Sequence, residues 1–264
     1  MKRVLIAGSN SFVGTNVENY LKSLDYLVDS VDTKNEDWIE FDFTKYDCLF
    51  LVAGIAHIKE DDNNRHLYDE VNHKLAVKIA LKAKSSGVKH LVFMSSMSVY
   101  GIEHTNEIIT TKTATKPITA YGNSKLNAEV ALKQLVDETF TVTIVRAPMI
   151  YGENCPGNMN RLERFVSKFH IFPKYINERT AITITELSVS IETYIRNRVN
   201  KTVIPSSNED LVPLKYIEEY AKEKNIKLYT TRIFNPFIRL LIGRVGIVTK
   251  LFGNLRCERE GNGQ

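Results

Sequence analysis

Three side chains suited to moving a proton off an alcohol stand in order along the chain: Ser96, Tyr121 and Lys125. Tyr121-Gly-Asn-Ser-Lys125 has a spacing of four, which on a helix places both side chains on one face. An ammonium beside a phenol favours the phenolate and makes it a usable general base. The spacing is not specific alone, because Tyr220 and Lys224 repeat it; that copy reads as the exposed face of a lysine-rich helix. Context separates the two. Met94-Ser95-Ser96-Met97-Ser98-Val99-Tyr100-Gly101 runs off a strand upstream of Tyr121, and strand carboxyl ends in a parallel sheet face the ligand crevice. Ser96 would then hydrogen-bond the same substrate oxygen that Tyr121 deprotonates. The plainer alternative is a polar turn built of Ser95, Ser96 and Ser98.

A second group of residues suits a dinucleotide. Gly8-Ser-Asn-Ser-Phe-Val-Gly14 joins a strand to a helix. A glycine directly after the strand permits the tight turn, and the amides at the helix start, around Ser11, Phe12 and Val13, can hold a pyrophosphate. Ser11 stands where the fingerprint has its middle glycine, so its side chain either weakens binding or bonds the phosphate itself. Asp32 ends the second strand at the spacing of a carboxylate that binds ribose hydroxyls, and it favours NAD over NADP. A solvated turn residue is the competing reading. Asp42, with Phe43 after it, is placed near the adenine, although an exposed strand-end aspartate explains it nearly as well. Ala53-Gly54-Ile55 follows the next strand, where missing bulk lets the backbone pass close to a cofactor.

The elements that must position these groups alternate. Residues 4–7, 26–32, 38–41, 48–53, 90–94 and 141–145 read as strands, and residues 15–24, 67–86 and 121–138 as helices. Such alternation implies an α/β protein with a doubly wound parallel sheet. Only residues 43–47 separate the third expected strand from the fourth, whereas a crossover takes about a dozen residues. The third crossover helix is therefore expected to shrink to a turn. Residues 1–150 are expected to form the cofactor domain, with 180–200 packing back on it, and residues 151–264 a small substrate lobe.

Composition excludes several classes. The chain has 264 residues, 43% of them hydrophobic and 25% charged, as in ordinary soluble globular proteins. A net charge of +4 argues against a dedicated nucleic-acid partner and suits an anionic small substrate. The start, MKRVLIAGSN, has too short an apolar run for a signal peptide and turns at once into the glycine loop. Nothing is apolar for long enough to span a membrane. Cys48, Cys155 and Cys257 fit no zinc pattern or disulfide framework, so a reducing, cytoplasmic setting is expected. The six histidines show no metal-binding spacing, and no metal is expected; His57 reads as a loop residue beside the cofactor pocket. The tail from 233 to 252 is apolar with Arg232, Arg239, Arg244 and Lys250 around and within it, as in segments that lie on membranes. Pro236, Gly243 and Gly246 argue against one continuous amphipathic helix, so a packed C-terminal lobe is expected instead.

Taken together, these residues resemble the extended short-chain dehydrogenase/reductases, in particular the nucleotide-sugar epimerase/dehydratase family. Val71-Asn72, Val88-Lys89-His90, the segment from Phe93 to Gly101, the Tyr121 motif and Arg146-Ala-Pro-Met-Ile-Tyr-Gly152 occur in family order. Gly157-Asn158, Asn177-Glu-Arg179-Thr and Lys250-Leu-Phe-Gly-Asn254 look like a branch found in bacterial polysaccharide gene clusters. The resemblance implies a Rossmann-type fold, NAD as cofactor and a nucleotide sugar as substrate. It makes Ser96, Tyr121 and Lys125 the catalytic groups, adds Asn72 and Pro148 to the cofactor set, and assigns Asn158 and Arg179 to the nucleotide diphosphate. It also implies a homodimer paired through the helices at 67–86 and 121–138, although apolar helix stripes more often face their own core.

Two departures narrow the activity. The family's 4,6-dehydratases carry an Asp-Glu pair where this chain has Met97 and Ser98, so the acid and base for eliminating water are missing. Many 4-epimerases have an asparagine where this chain has Met149. The expectation is an NAD-dependent UDP-hexose 4-epimerase working through a transient 4-keto sugar in cell-surface polysaccharide synthesis. The rivals are a 4-ketoreductase or dehydrogenase of a nucleotide-linked sugar and a non-enzymatic NAD-sensing protein.

Overall fold

The computed structural model describes residues 2–56, 60 and 64–259. Its centre is a six-stranded parallel sheet. The strands are β1 (Arg3–Ala7), β2 (Leu27–Val31), β3 (Cys48–Leu51), β4 (His90–Ser96), β5 (Thr141–Ala147) and β6 (Thr202–Val203). They lie in the order β6-β5-β4-β3-β1-β2. The chain leaves β1 toward β2 and returns on the other side to β3, so the switch point lies between β1 and β3. Ligands of open α/β sheets sit outside the strand carboxyl ends at that point.

Both faces of the sheet are covered because side chains alternate along each strand. On one face Leu5, Leu49, Leu51, Leu91 and Phe93 pack with Ile79, Ala83, Ala128 and Leu132. These last come from α4 (Ala76–Ser85) and α5 (Ala120–Lys133). On the other face Val4, Ile6, Phe50, Val92 and Val145 pack with Val17, Leu21, Leu187 and Ile191. The helices there are α1 (Phe12–Ser23) and α7 (Ile184–Asn197), which also pack on each other. A capping box of Thr183 and Glu186 fixes where α7 starts.

The third expected strand is absent. Residues 37–40 wind one helical turn, α2 (Asp37–Glu40), which buries Trp38 against the first core. A strand there would lie beyond β2, about three strand spacings or ~14 Å from β3. The six residues 42–47, reaching at most about 20 Å, would have to cover that distance and also travel back along the strand length, which leaves no slack for a turn over the sheet. So it is the strand itself, not just its crossover helix, that is lost, and β2 becomes the sheet edge.

The remaining residues form a lobe around a smaller core of Met159, Leu162, Val166, Phe172, Leu214, Ile217, Ile238, Leu251 and Phe252. It contains α6 (Asn158–Phe169), α8 (Pro213–Glu223), α9 (Asn235–Leu241) and α10 (Gly246–Phe252). Parallel strand pairs bind it together: Met149–Tyr151 with Ala181–Thr183, and Ile171–Pro173 with Tyr229–Thr231.

Candidate active site

The crevice begins where β1 ends. Gly8 has φ +117°, and a Cβ there would stand 2.7 Å from the Ala53 amide nitrogen. Both the turn and the close approach of the β3 loop therefore exclude a side chain. Ser11 caps α1: its Oγ accepts from the Gly14 amide at 3.1 Å and donates to the Gly8 carbonyl at 2.9 Å. The hydroxyl thus caps the helix, a role that the sequence reading of Ser11 did not include. Phe12 and Val13 open the helix with their rings and branches packed toward the second core. Asp32 follows β2, half-buried, and accepts from the Lys34 amide at 2.9 Å through one oxygen.

The shelf beyond β3 is clamped from below. Asn72, fully buried, accepts from the Ile55 amide at 2.8 Å and donates to the Ile55 carbonyl at 3.0 Å and to Ser124 Oγ at 3.2 Å. It sits in a single π-helical turn, Glu70–Leu75, between α3 (Arg65–Asp69) and α4. Such turns bulge a helix toward functional sites. A Cβ at Gly54 would lie 2.7 Å from Asn72 Oδ1 and 3.3 Å from Lys125 Nζ, so only glycine leaves this ledge clear. Asn72 thus fixes the backbone of this ledge at Ile55. Two further residues assigned to the cofactor point elsewhere. The Phe43 ring is 1% exposed in the core, leaving only its backbone for a ligand. Asp42 is exposed and turned onto Thr44, at 2.6 Å to its hydroxyl, which with the Thr44 amide and Lys45 holds its carboxyl below the usual range. Pro148 is buried just past β5. His57 lies outside the described residues.

The proton-moving groups meet at the end of β4. Ser96 is its last residue, and Ser96 Oγ accepts from the Ser98 amide and donates to Ser98 Oγ, both at 3.1 Å. Tyr121 is in the first turn of α5, whose start is capped by Thr119 and by Glu60 Oε2, 2.9 Å from the Ala120 amide. Burial raises the Tyr121 pKa, its hydrogen bond with Ser96 acts in the opposite direction, and the nearby Tyr68 phenol raises it further. The Tyr68 ring meets that of Tyr121 edge-on at 6.2 Å. Lys125, 4% exposed, donates to the Met94 carbonyl at 2.8 Å and lies over the Phe93 ring. Burial pushes its pKa down to about 8, with Glu129 pulling the other way.

One turn further along α5, Glu129 is fully buried. Its carboxylate accepts from Arg146 through Nε at 3.0 and 3.1 Å and through Nη2 at 2.6 Å, and from the Ser95 hydroxyl. Arg146 also donates to Tyr100 Oη at 2.8 Å, which donates to the Thr110 carbonyl. This network locks α5 against β4, which ends in Ser96, and its neighbour β5. The sequence reading missed Glu129. Its signal was the continuation of the Tyr121 and Lys125 face by four residues.

A family model described as the NAD dependent epimerase/dehydratase family matches residues 4–171. The chain belongs to that family. Its cofactor is therefore NAD, which the Gly8 turn, the amide-lined start of α1, the Asp32 carboxylate and the Gly54 ledge fit. A UDP-glucose 4-epimerase of Vibrio cholerae is 28% identical over 97% of this chain and 87% of its own. An Escherichia coli O157:H7 N-acetyl-α-D-glucosaminyl-diphospho-ditrans,octacis-undecaprenol 4-epimerase is 27% identical over 60% of this chain and 52% of its own. Among solved structures, a UDP-glucuronic acid 4-epimerase of Bacillus cereus in complex with NAD superposes with TM-score 0.74 at 16% identity, covering 87% of this chain and 85% of that one.

The positions this epimerase/dehydratase chain was expected to use for the diphosphate lie in the lobe. Asn158 opens α6 after Gly157. Arg179 is 6% exposed, and its guanidinium donates to the carbonyls of Gly253 at 2.5 Å and Thr249 at 3.3 Å, with Glu103 at 3.5 Å. Burial pushes its pKa down to about 10. Among the described residues its hydrogen bonds go to carbonyls, those of Thr249 and Gly253 at the C-terminal end of α10, while the Glu103 carboxylate acts on its charge without a direct bond. No group of histidine, cysteine, aspartate and glutamate among the described residues could hold a metal.

Proposed function

We propose that the chain is an NAD-dependent nucleotide-sugar 4-epimerase, acting on a UDP-hexose in cell-surface polysaccharide synthesis. The observation that carries this reading is that Ser96 at the end of β4 faces Tyr121 in the first turn of α5, with Lys125 Nζ beside the Gly54 ledge and no carboxylate at positions 97 and 98. NAD, when bound, supplies the acceptor and donor of hydride. Gly8, the α1 amides, Asp32, Ala53, Gly54 and Lys125 would hold it. Tyr121 takes the proton from the sugar hydroxyl being oxidised and returns it after the sugar has turned. Ser96 would hold that oxygen in place, and Lys125, whose Nζ lies beside the Gly54 ledge, would hold the cofactor ribose and favour the phenolate once the site is filled. Met97, buried against Cys257 Sγ at 3.9 Å, offers no acid for eliminating water. Asn158 and Arg179 would hold the diphosphate, as the family resemblance implies, the guanidinium exchanging its carbonyl partners for phosphate oxygens. The lipid diphosphate in the Escherichia coli relative's name presents the same group, so the donor assay carries both classes.

The test is incubation of the purified protein with UDP-hexoses and with a polyprenyl diphosphate N-acetylhexosamine, following NADH absorbance and product configuration by NMR. Formation of the 4-epimer without net cofactor turnover is expected. NADH consumed or produced in step with product would replace this reading with the reductase or dehydrogenase, which would use the same three side chains. We also place the protein in the cytoplasm, because all three cysteines are free and buried, and as a homodimer through Leu67, Leu81 and Val130, which stay exposed on α3, α4 and α5.

A further inference from the structure

From Lys224 to Cys257 the chain carries Lys224, Lys227, Arg232, Arg239, Arg244, Lys250 and Arg256 and not one aspartate or glutamate. The rest of the molecule mixes both signs, so the net charge of +4 is concentrated on one part of the lobe. The same stretch holds an exposed apolar group. Ile233 is 70% exposed, Phe237 65% and Leu240 58%, and Phe234 and, at the start of α10, Ile247 are exposed too. In α9 only Ile238 enters the lobe core, while Phe237, Arg239 and Leu240 stay outside. Among the described residues no acidic side chain pairs with Arg232, Arg239 or Arg244; the Arg244 guanidinium only reaches back to the Leu240 carbonyl. The packed lobe expected from Pro236, Gly243 and Gly246 does form, yet it leaves these side chains in water.

Large apolar side chains clustered at a surface mark an interaction site. Here they alternate with arginines and exclude carboxylates, which selects the occupant. A protein partner's apolar patch would not require a carboxylate-free stretch of this length, whereas an anionic lipid surface repels carboxylates, attracts arginines and accepts phenylalanine and leucine into its acyl boundary. We propose that the face formed by Ile233, Phe237, Arg239, Leu240, Arg244 and Ile247 docks on the surface of an anionic lipid bilayer, holding the substrate lobe against the membrane. No helix of the described residues is long and apolar enough to cross one, so the attachment is peripheral and reversible. It does not depend on which sugar is the substrate.

The experiment is flotation of the whole protein with phosphatidylcholine vesicles and with vesicles containing phosphatidylglycerol, in low and high salt. Binding to the anionic vesicles, weakened by salt, is expected. Arg239→Gln with Arg244→Gln should lower the partition coefficient about 30-fold, taking ~1 kcal/mol for each charge near the surface. Phe237→Ser with Leu240→Ser should abolish flotation while leaving thermal unfolding unchanged, because both side chains are exposed. Protein left in the lipid-free fraction with both vesicle types, equal flotation with neutral and anionic vesicles, or flotation unaffected by either pair of substitutions overturns the proposal. So does a loss of self-association in the Phe237 and Leu240 variant without loss of vesicle binding, which would assign the face to a second copy of the chain.

Discussion

Two helices of this protein carry tyrosine and lysine four residues apart, and only one of them is built around the pair. In α8, the Tyr220 hydroxyl meets Ser167 at 3.0 Å, and Lys224 lies in water beside Glu223. In α5, Tyr121 meets a strand-end serine, Lys125 is buried over Phe93, and Glu129 extends the same face into a buried ion pair. The spacing is identical, but burial, the strand behind and the third residue of the face differ. Chemistry at a Tyr-x-x-x-Lys pair thus depends on what lies beneath the helix, which the pair itself does not encode.

The comparison breaks first at the hydroxyl. Tyr121→Phe should cost about 10²- to 10⁴-fold in turnover, the range of a lost general acid-base group, while Tyr220→Phe should leave the rate unchanged. Steady-state assays of both variants decide it, and equal effects would refute the assignment. The supporting charge comes next. Glu129→Gln alone should destabilise the fold by ~3–5 kcal/mol, since it strands a buried guanidinium. Pairing Glu129→Leu with Arg146→Met should recover much of that loss. Lys224→Ala, at an exposed pair, should leave stability almost unchanged. Denaturant midpoints measure all three.

Lys125 sharpens the contrast through pH. Its pKa in the folded apoprotein is depressed to about 8 from an ordinary 10.5. Between those values the unfolded chain binds the extra proton, so this residue's contribution to stability rises with pH. Below about 8 both states are protonated and the burial penalty stands in full. The buried cysteines and tyrosines titrate in the opposite sense, so the quantity to follow is the stability of the wild type minus that of Lys125→Met. It should rise by roughly 3 kcal/mol across that window, whereas Lys224→Met should show no such rise. The smallest effect is at the glycine loop. Ser11→Ala should cost about 1 kcal/mol through the lost cap, read as a lower Tm, and Ser11→Gly only a few tenths.

The alternation of strands and helices was legible because buried parallel strands and amphipathic helices leave different periods in the sequence. The segment around Trp38 was not. Four residues, Trp38 to Phe41, fit a strand or a single helical turn equally, and only the reach of the following six residues decides between them. At the site, the turn glycines and Asp32 declare their positions through spacing along one unit. Glu129 and Arg179 do not, because a charged residue reads as solvent-facing until the distant segments that bury it are in place. Arg146, from another strand, does so for Glu129; residues 249–253 do so for Arg179.

The helix α7 has a consequence for how the protein is made. It covers α1, and β6 pairs with β5, so the core around Val17 and Leu21 is completed by residues from 182 to 203. A ribosome adding about 5–20 residues per second needs several seconds to go from β5 to β6. During that time the nucleotide half has its crevice residues but an open apolar flank. Nascent chains paused or cut in that interval should be the ones that recruit chaperones.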